Sequence, residues 1–145
     1  MRFVAIGVLT ALAVALAADM ALIQPKELAT RLEAKGAHPA LIHVGFNVLY
    51  RGKHIPGSIY AGPASAPEGL AALGAAVAKL PRNGEIVVYC GCCPWDHCPN
   101  MRPAMELLKQ MGFTRVKALY ISTNMAQDWF DHGYPAESGQ AATGK

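Results

Sequence analysis

The segment Glu85–Tyr89 (EIVVY) constrains the fold more than any other, because after Glu85 it is apolar and rich in β-branched residues with no polar interruption. A strand with one face in solvent alternates apolar and polar residues, whereas a strand covered on both faces does not. The segment therefore predicts a strand in the middle of a parallel sheet.

The rest of the sequence alternates between helical and strand patterns. Helices are predicted at 25–35, 67–80, 101–111 and 124–132, and strands at 40–44, 85–89 and 115–121, with a turn and a short strand over 54–60. Alternation of this kind is typical of layered α/β proteins. We therefore expect an α/β fold with a central, mainly parallel sheet flanked by helices.

All four cysteines of the chain, Cys90, Cys92, Cys93 and Cys98, follow the predicted central strand within nine residues. A disulfide framework joins distant segments, because closing long loops is what constrains the unfolded chain. Disulfides between cysteines of one loop would close only short loops and would therefore stabilise the fold little. Ligands of open α/β sheets bind at the carboxyl ends of the strands, so this loop is the candidate functional site.

The N-terminus has the pattern of a secretory signal peptide. Met1-Arg2 precedes an apolar run over 3–16, and Ala15-Leu16-Ala17 forms a small-x-small cleavage site. The apolar run is short for a membrane span of about 20 residues. We therefore expect residues 1–17 to be cleaved, leaving a periplasmic or secreted protein without a membrane anchor. That compartment is oxidising, so the thiols must form disulfides, carry a bound group, or be kept reduced by a partner.

The mature chain has a length that suits one domain, which we assign to residues 18–137, followed by a flexible tail at 138–145. The net charge of +3 does not indicate binding to nucleic acid. The sequence gives no indication of the oligomeric state.

An ordered set of segments resembles the single-domain rhodaneses, a family of sulfurtransferases. Segment 54–58 (HIPGS) is close to the family's His-Ile-Pro-Gly-Ala motif, and 86–90 (IVVYC) resembles the strand that delivers its catalytic cysteine. The other matching segments are 23–28, 41–44, 106–113, Trp129 and 133–135. The resemblance implies a rhodanese-like three-layer fold in which Cys90 carries sulfane sulfur as a persulfide.

The same resemblance implies small sulfur donors and thiol acceptors as partners, and the export signal adds a periplasmic thiol reductant to them. No cofactor and no resident metal are expected. A cysteine at a strand end faces the next helix N-terminus, whose N–H groups favour an anion. Asn100 is expected to cap that helix, and Arg102 to add positive charge near the sulfur. The predicted active-site loop comprises Gly91, Cys92, Cys93, Trp95, Asp96, His97, Cys98 and Arg102.

The sequence also departs from the family pattern. The cysteine loop is longer than usual and contains Pro94 and Pro99, which have no N–H to donate. The segment 119–129 is also longer, so we expect the two loops to pack against each other. His43 and Gly45 stand where the family usually has aspartate and arginine, and we expect His43 to be a core residue.

The extra cysteines leave three interpretations open. In the first, one of the extra cysteines attacks the Cys90 persulfide and forms a disulfide. In the second, the loop is a thiol-disulfide couple. In the third, the thiolates and His97 bind Cu(I) or Zn(II). Trp95 is expected either to cover the sulfur or, preferably, to anchor the loop. Asp96 and His97 either assist proton transfer or form an exposed loop tip.

Overall fold

A computed structural model describes residues 20–139. Residues 1–19, which include the predicted signal peptide, and residues 140–145 of the predicted tail lie outside the described part. Within residues 20–139, no helix is both long enough and apolar enough to cross a membrane.

Five strands form one sheet in the order β1-β5-β4-β2-β3, and every neighbouring pair is parallel. The expected α/β fold with a mainly parallel sheet is thus confirmed, and the described sheet is parallel throughout. The central strand is β4, as its uninterrupted apolar pattern predicted. The strands are β1 (Leu22–Ile23), β2 (Ala40–His43), β3 (Ile59–Tyr60), β4 (Glu85–Tyr89) and β5 (Arg115–Leu119).

The helices differ from the prediction in two places. The helix α2 was not predicted, because Tyr50 is its only buried residue and Val48 is 75% exposed, so it shows no apolar stripe. The predicted helix 124–132 is a short π-helical turn, Ala126–Phe130. The α-helices are α1 (Pro25–Glu33), α2 (Asn47–Gly52), α3 (Pro67–Val77) and α4 (Met101–Gln110).

Strand β4 is buried because apolar layers cover both of its faces. Ile86 and Val88 point into one layer, which the buried residues of α3 and α4 complete. Val87 and Tyr89 point into the other, which contains the fully buried Trp129. Side chains along a strand alternate between faces, so the residue after Tyr89 belongs with Ile86 and Val88.

Two glycines of α3 should respond to alanine in opposite directions. A Cβ at Gly69 would overlap the carbonyl oxygen of Pro63, whereas at Gly74 it would meet only the Met111 Sδ at 4.0 Å. We expect Gly69→Ala to lower the free energy of unfolding by about 1–3 kcal/mol. Gly74→Ala should raise it by about 0.5–1 kcal/mol, since alanine favours helix. Urea unfolding of both variants checks this, and equal effects would contradict the packing at Gly69.

The end of the described chain is tied to the turn that precedes β3. His54 and Glu137 exchange two backbone hydrogen bonds of 2.8 and 2.9 Å, and the Gly139 N–H donates to the Arg51 carbonyl at 2.9 Å. The His54 ring is buried, stacks on Tyr50 at 3.9 Å and lies 2.7 Å from the Tyr50 carbonyl. His54 therefore has a structural role, as its place in the HIPGS turn indicated.

Candidate functional site

Cys90 directly follows β4 and points into the layer formed by α3 and α4. Its side chain is buried, with 3% of its surface exposed. Gly45, which follows β2, closes one side of the sulfur, because a Cβ there would lie 2.6 Å from the Cys90 Sγ. A residue with a side chain at position 45 would therefore displace the sulfur, and glycine leaves it room.

The loop after Cys90 folds back and brings the four sulfurs together. The Cys90 Sγ lies 3.5 Å from the Cys92 Sγ, which lies 2.8 Å from the Cys93 Sγ. The sulfurs of Cys90, Cys92 and Cys98 are all within 4.8 Å of one another. All four cysteines are free thiols: Cys90 and Cys98 are buried, Cys93 is half-buried and Cys92 is exposed.

Asn100 contacts this cluster, a contact that the sequence pattern did not predict. It occupies the cap position of α4 but forms no side-chain cap, because its backbone is already helical, with φ −86° and ψ −26°. Its buried side chain instead accepts the Ser65 N–H at 2.9 Å through Oδ1. Its Nδ2 lies 3.5 Å from the Cys90 Sγ and 3.9 Å from the Cys98 Sγ. The predicted cap is thus wrong, and Asn100 is a donor to the sulfurs.

The cluster favours protonated thiols. The hydrogen bond that Cys90 shares with Cys98, together with burial, raises the pKa of Cys90 well above its ordinary value. The Cys92 backbone N–H and the Asn100 amide act in the opposite direction, since they donate to the anion. Burial also raises the pKa of Cys92, and that of Cys93 to about 11. An anion formed on Cys90 therefore depends on these two donors.

The two long loops pack against each other, as expected. The backbone N–H of Trp95 donates to the Ile121 carbonyl at 2.9 Å, and the backbone N–H of Met125 donates to the Gly91 carbonyl at 3.4 Å. The Trp95 ring also lies 6.4 Å from that of Tyr120. The Trp95 side chain is half-buried and lies outside the described core clusters, so the loop is held at this point by the backbone hydrogen bond and the contact with Tyr120.

Three other predicted site residues lie at the protein surface. The His97 Nδ1 and the Asp96 Oδ1 are 2.9 Å apart, within hydrogen-bond distance, and 78% of the His97 side chain is exposed. Arg102 is exposed and lines, with the segment 95–99, a separate groove of about 400 Å³. Arg102, in the first turn of α4, was expected to add charge near the sulfur; its side chain is exposed, and the groove that it lines also includes Cys98.

A cavity of about 600 Å³ opens beside the cluster, at the carboxyl ends of β2 and β4. Cys92 is on its wall, whereas the buried Cys90 lies behind it. Among the described residues that line the cavity, Lys53 is the one charged side chain. The others are mostly apolar and include His43, Leu49, Tyr89, Met125 and Phe130.

The comparison with known families agrees with this arrangement of sheet and helices. The family described as Rhodanese-like domain matches residues 24–122, which is more than half of the chain. The chain belongs to the rhodanese-like family. No curated protein matches the sequence.

Solved structures share the rhodanese-like fold at low sequence identity. The Alr3790 protein from Anabaena sp. is 21% identical, with a TM-score of 0.62 over 82% of this chain and 94% of that one. The BH2092 protein from Bacillus halodurans is 19% identical, with a TM-score of 0.62 over 86% of this chain and 82% of that one. A thiosulfate sulfurtransferase from Pseudomonas aeruginosa is 20% identical, with a TM-score of 0.62 over 84% of this chain and 21% of that one.

His43 is a core residue of this rhodanese-like domain, as expected. It is 1% exposed and lies among the rings of Tyr50, Tyr60 and Tyr89, at centroid distances of 5.4, 5.9 and 5.0 Å. Its Nδ1 accepts the Gly45 N–H at 3.2 Å. Burial, aided by the neighbouring His54, lowers the pKa of His43 to about 4. The imidazole is therefore neutral and holds Gly45 against Cys90.

This pKa predicts a loss of stability in mild acid. Below pH 6.5 the unfolded chain binds a proton at His43, and the folded chain does so only near pH 4. We expect His43 to contribute a loss of up to about 3 kcal/mol in the free energy of unfolding between these values. His43→Asn keeps an acceptor for Gly45 without the titration. Urea unfolding from pH 7 to 4 should show a shallower decline for this variant, and parallel declines would refute the assignment.

Proposed function

We propose that this protein is a sulfurtransferase that moves sulfane sulfur through a persulfide on Cys90 to a thiol or another nucleophilic acceptor. The observation that carries the proposal is the position of Cys90 at the end of the central strand, with the Asn100 Nδ2 3.5 Å from its sulfur. Donors at this point stabilise a thiolate or persulfide anion. Membership of the rhodanese-like family supports the same chemistry.

The loading step needs only the cysteine and an anionic donor. The Cys90 thiolate attacks the outer sulfur of thiosulfate, the Cys90–S bond forms, and the bond between the two donor sulfurs breaks as sulfite leaves with its electron pair. A polysulfide reacts in the same way, with a shorter polysulfide leaving. Because the pKa of Cys90 is raised, the rate of loading should increase with pH across the neutral range.

The cavity beside the cluster suits such donors. It has room for a small anion, Lys53 supplies positive charge, and no carboxylate is among its described lining residues. Charge of one sign in a low-dielectric cleft concentrates ligands of the opposite sign. Cys92 is on the cavity wall, and its sulfur is 3.5 Å from that of the buried Cys90, which gives Cys92 a place in the proposed reaction.

Cys92 is the resolving thiol of this proposal. Its sulfur is 3.5 Å from that of Cys90 and is exposed. The Cys92 thiolate attacks the Cys90 Sγ of the persulfide, a Cys90–Cys92 disulfide forms, and hydrosulfide leaves. A thiol reductant then restores both thiols by exchange at an accessible sulfur. Cys98 is less suitable because a disulfide with Cys90 would have both sulfurs buried.

The signal-like N-terminus extends the proposal to location and partners. We infer an exported protein, periplasmic or secreted, that meets small sulfur donors, thiol acceptors and a thiol reductant of the same compartment. The intact mass of the protein recovered from the producing cells tests this inference. A chain that begins at Ala18 supports export, and a chain that retains Met1 contradicts it.

Intact-mass measurement after reduction and exposure to thiosulfate or polysulfide tests the central proposal. The protein should gain the mass of one sulfur, lose it on treatment with cyanide, and carry it on Cys90 after digestion. Absence of any cyanide-sensitive gain, or a gain confined to another cysteine, would overturn the proposal.

The variant Cys92→Ser separates loading from resolution. We expect it to load Cys90 and then retain the persulfide, because no neighbouring thiol of comparable access can displace hydrosulfide. Sulfide release measured without added thiol should fall by at least about tenfold relative to the wild type. The matched variant Cys98→Ser should still release sulfide. Undiminished release from Cys92→Ser would exclude Cys92 as the resolving thiol.

A further inference from the structure

We propose that Cys90, Cys92 and Cys98 also form a three-thiolate site for a soft cation of d¹⁰ configuration, Cu(I). Three sulfurs from one loop converge within 4.8 Å of one another, although the sulfur-transfer step described above uses only two of them. Thiolates are soft ligands that select Cu(I). The evidence for this site does not depend on the sulfur-transfer proposal, although the two share Cys90 and Cys92.

The spacing of the sulfurs fits one metal ion. Thiolate–metal bonds of about 2.3 Å place the three sulfurs of a trigonal site about 4 Å apart. The Cys90 and Cys92 sulfurs are 3.5 Å apart, and neither is more than 4.8 Å from the Cys98 sulfur. Binding therefore requires only small side-chain adjustments, with no change in the path of the loop.

The surroundings favour three-coordination. His97, which one interpretation of the sequence considered as a ligand, is exposed and contacts Asp96, and it is not in the group of three sulfurs. Cys93 is half-buried and adjacent in the chain to Cys92, and it lies outside the group of three. Structural Zn(II) sites need four ligands. The Cys93 sulfur lies 2.8 Å from that of Cys92 but is not within 4.8 Å of all three, so the mutually close sulfurs number three, which suits Cu(I) better than Zn(II).

The surrounding groups hold two of the three ligands in position. The Asn100 Nδ2 lies 3.5 Å from the Cys90 sulfur and 3.9 Å from that of Cys98, so one amide can orient both and offset part of their charge. Cys90 and Cys98 are both buried, with 3% and 5% of their surface exposed. Burial restricts access of water and oxidants to a bound ion, which favours the Cu(I) state.

A bound cation would occupy the sulfur that carries the persulfide. Cu(I) and sulfane sulfur should therefore exclude each other at Cys90, and loading with either should protect against the other. The protein then has two states of its cluster, and the supply of copper or of sulfur donor selects between them.

The test uses the full, reduced protein without oxygen and Cu(I) supplied as its acetonitrile complex. Native mass spectrometry should show one copper per chain, and X-ray absorption should show three sulfur neighbours at about 2.3 Å. Competition with a chromophoric Cu(I) chelator should give an affinity at least about 100-fold weaker for Cys98→Ser, since two thiolates remain. The matched variants Cys93→Ser and His97→Ala should bind as the wild type does.

The outcomes separate this proposal from sulfur transfer. Stoichiometric copper that is lost equally in Cys93→Ser, or that is unaffected in Cys98→Ser, would overturn the three-thiolate site, as would absence of copper in the wild type. A wild type that forms the persulfide but binds no copper refutes the metal site alone. One that binds copper but forms no persulfide refutes sulfur transfer alone.

Discussion

Cys90→Ser should abolish the cyanide-sensitive gain of one sulfur. The hydroxyl of serine does not form a persulfide, and the remaining thiols lack both the strand-end position and the closest contact with the Asn100 amide. We expect the rate of sulfur transfer to thiol or cyanide to fall by at least about 10³-fold, as for loss of a covalent nucleophile. The measurement combines the intact mass after thiosulfate treatment with the rate of thiocyanate formation.

Cys93→Ser is the matched control, since it removes a thiol of the same loop that is not adjacent to Asn100 in space. It should keep the gain of sulfur on Cys90. Urea unfolding of both serine variants checks that each is folded, and we expect the larger loss of stability for Cys90→Ser because its hydroxyl is buried in an apolar layer. If Cys90→Ser still acquires sulfur and transfers it at the wild-type rate, Cys90 is not the carrier.

Asn100→Asp should slow persulfide formation by about 10²-fold, the usual effect of removing one preorganised donor to a developing anion. The carboxylate retains an acceptor for the Ser65 N–H, so the link that Asn100 makes across the site at 2.9 Å can persist. It replaces the amide N–H that faces the Cys90 sulfur with a like charge. The second-order rate of loading with polysulfide gives the effect, with the alkylation rate of Cys90 against pH as a second measurement.

The pH profile distinguishes a direct role of Asn100 from a structural one. Loss of the amide donor should shift the alkylation profile of Cys90 to higher pH, since the pKa of this thiol depends on that donor. A change in fold alone would lower the urea midpoint without such a shift. An Asn100→Asp protein with wild-type loading and an unchanged profile would show that Asn100 does not act on the sulfur.

The fold was predictable where the burial of a segment is visible in its own pattern of apolar residues. The apolar pattern of Glu85–Tyr89 predicted the central strand with its observed bounds, because a strand covered on both faces leaves no position for a polar residue. The helix α2 (Asn47–Gly52) was not predictable in this way. Its Tyr50 is buried by contacts with the His54 turn and with the rings of His43 and Tyr60, and contacts with separate elements leave no periodic pattern within a short helix.

The site was predictable in part for the same reason. The position of Cys90 follows from the strand that precedes it, and the resemblance to rhodaneses supplied its expected role. The environment of its sulfur did not follow, because Gly45 and Asn100 reach it from other parts of the chain. Arg102 was expected to add charge near the sulfur, and His97 was considered as a metal ligand together with the thiolates. Both side chains are exposed, and exposure depends on how the loop and α4 pack, which the sequence pattern does not show.

The sequence by itself determined that this is an α/β domain of the rhodanese-like kind with its cysteines at the end of the central strand. Those features depend on local apolar pattern and on the order of elements along the chain. Only the tertiary structure decided which thiols meet and which donors face them. Distances between sulfurs depend on how a loop folds back over a sheet edge, and this is set by contacts between segments remote in sequence. The tertiary structure groups Cys90, Cys92 and Cys98, leaves His97 in solvent, and brings the Asn100 amide to the Cys90 sulfur.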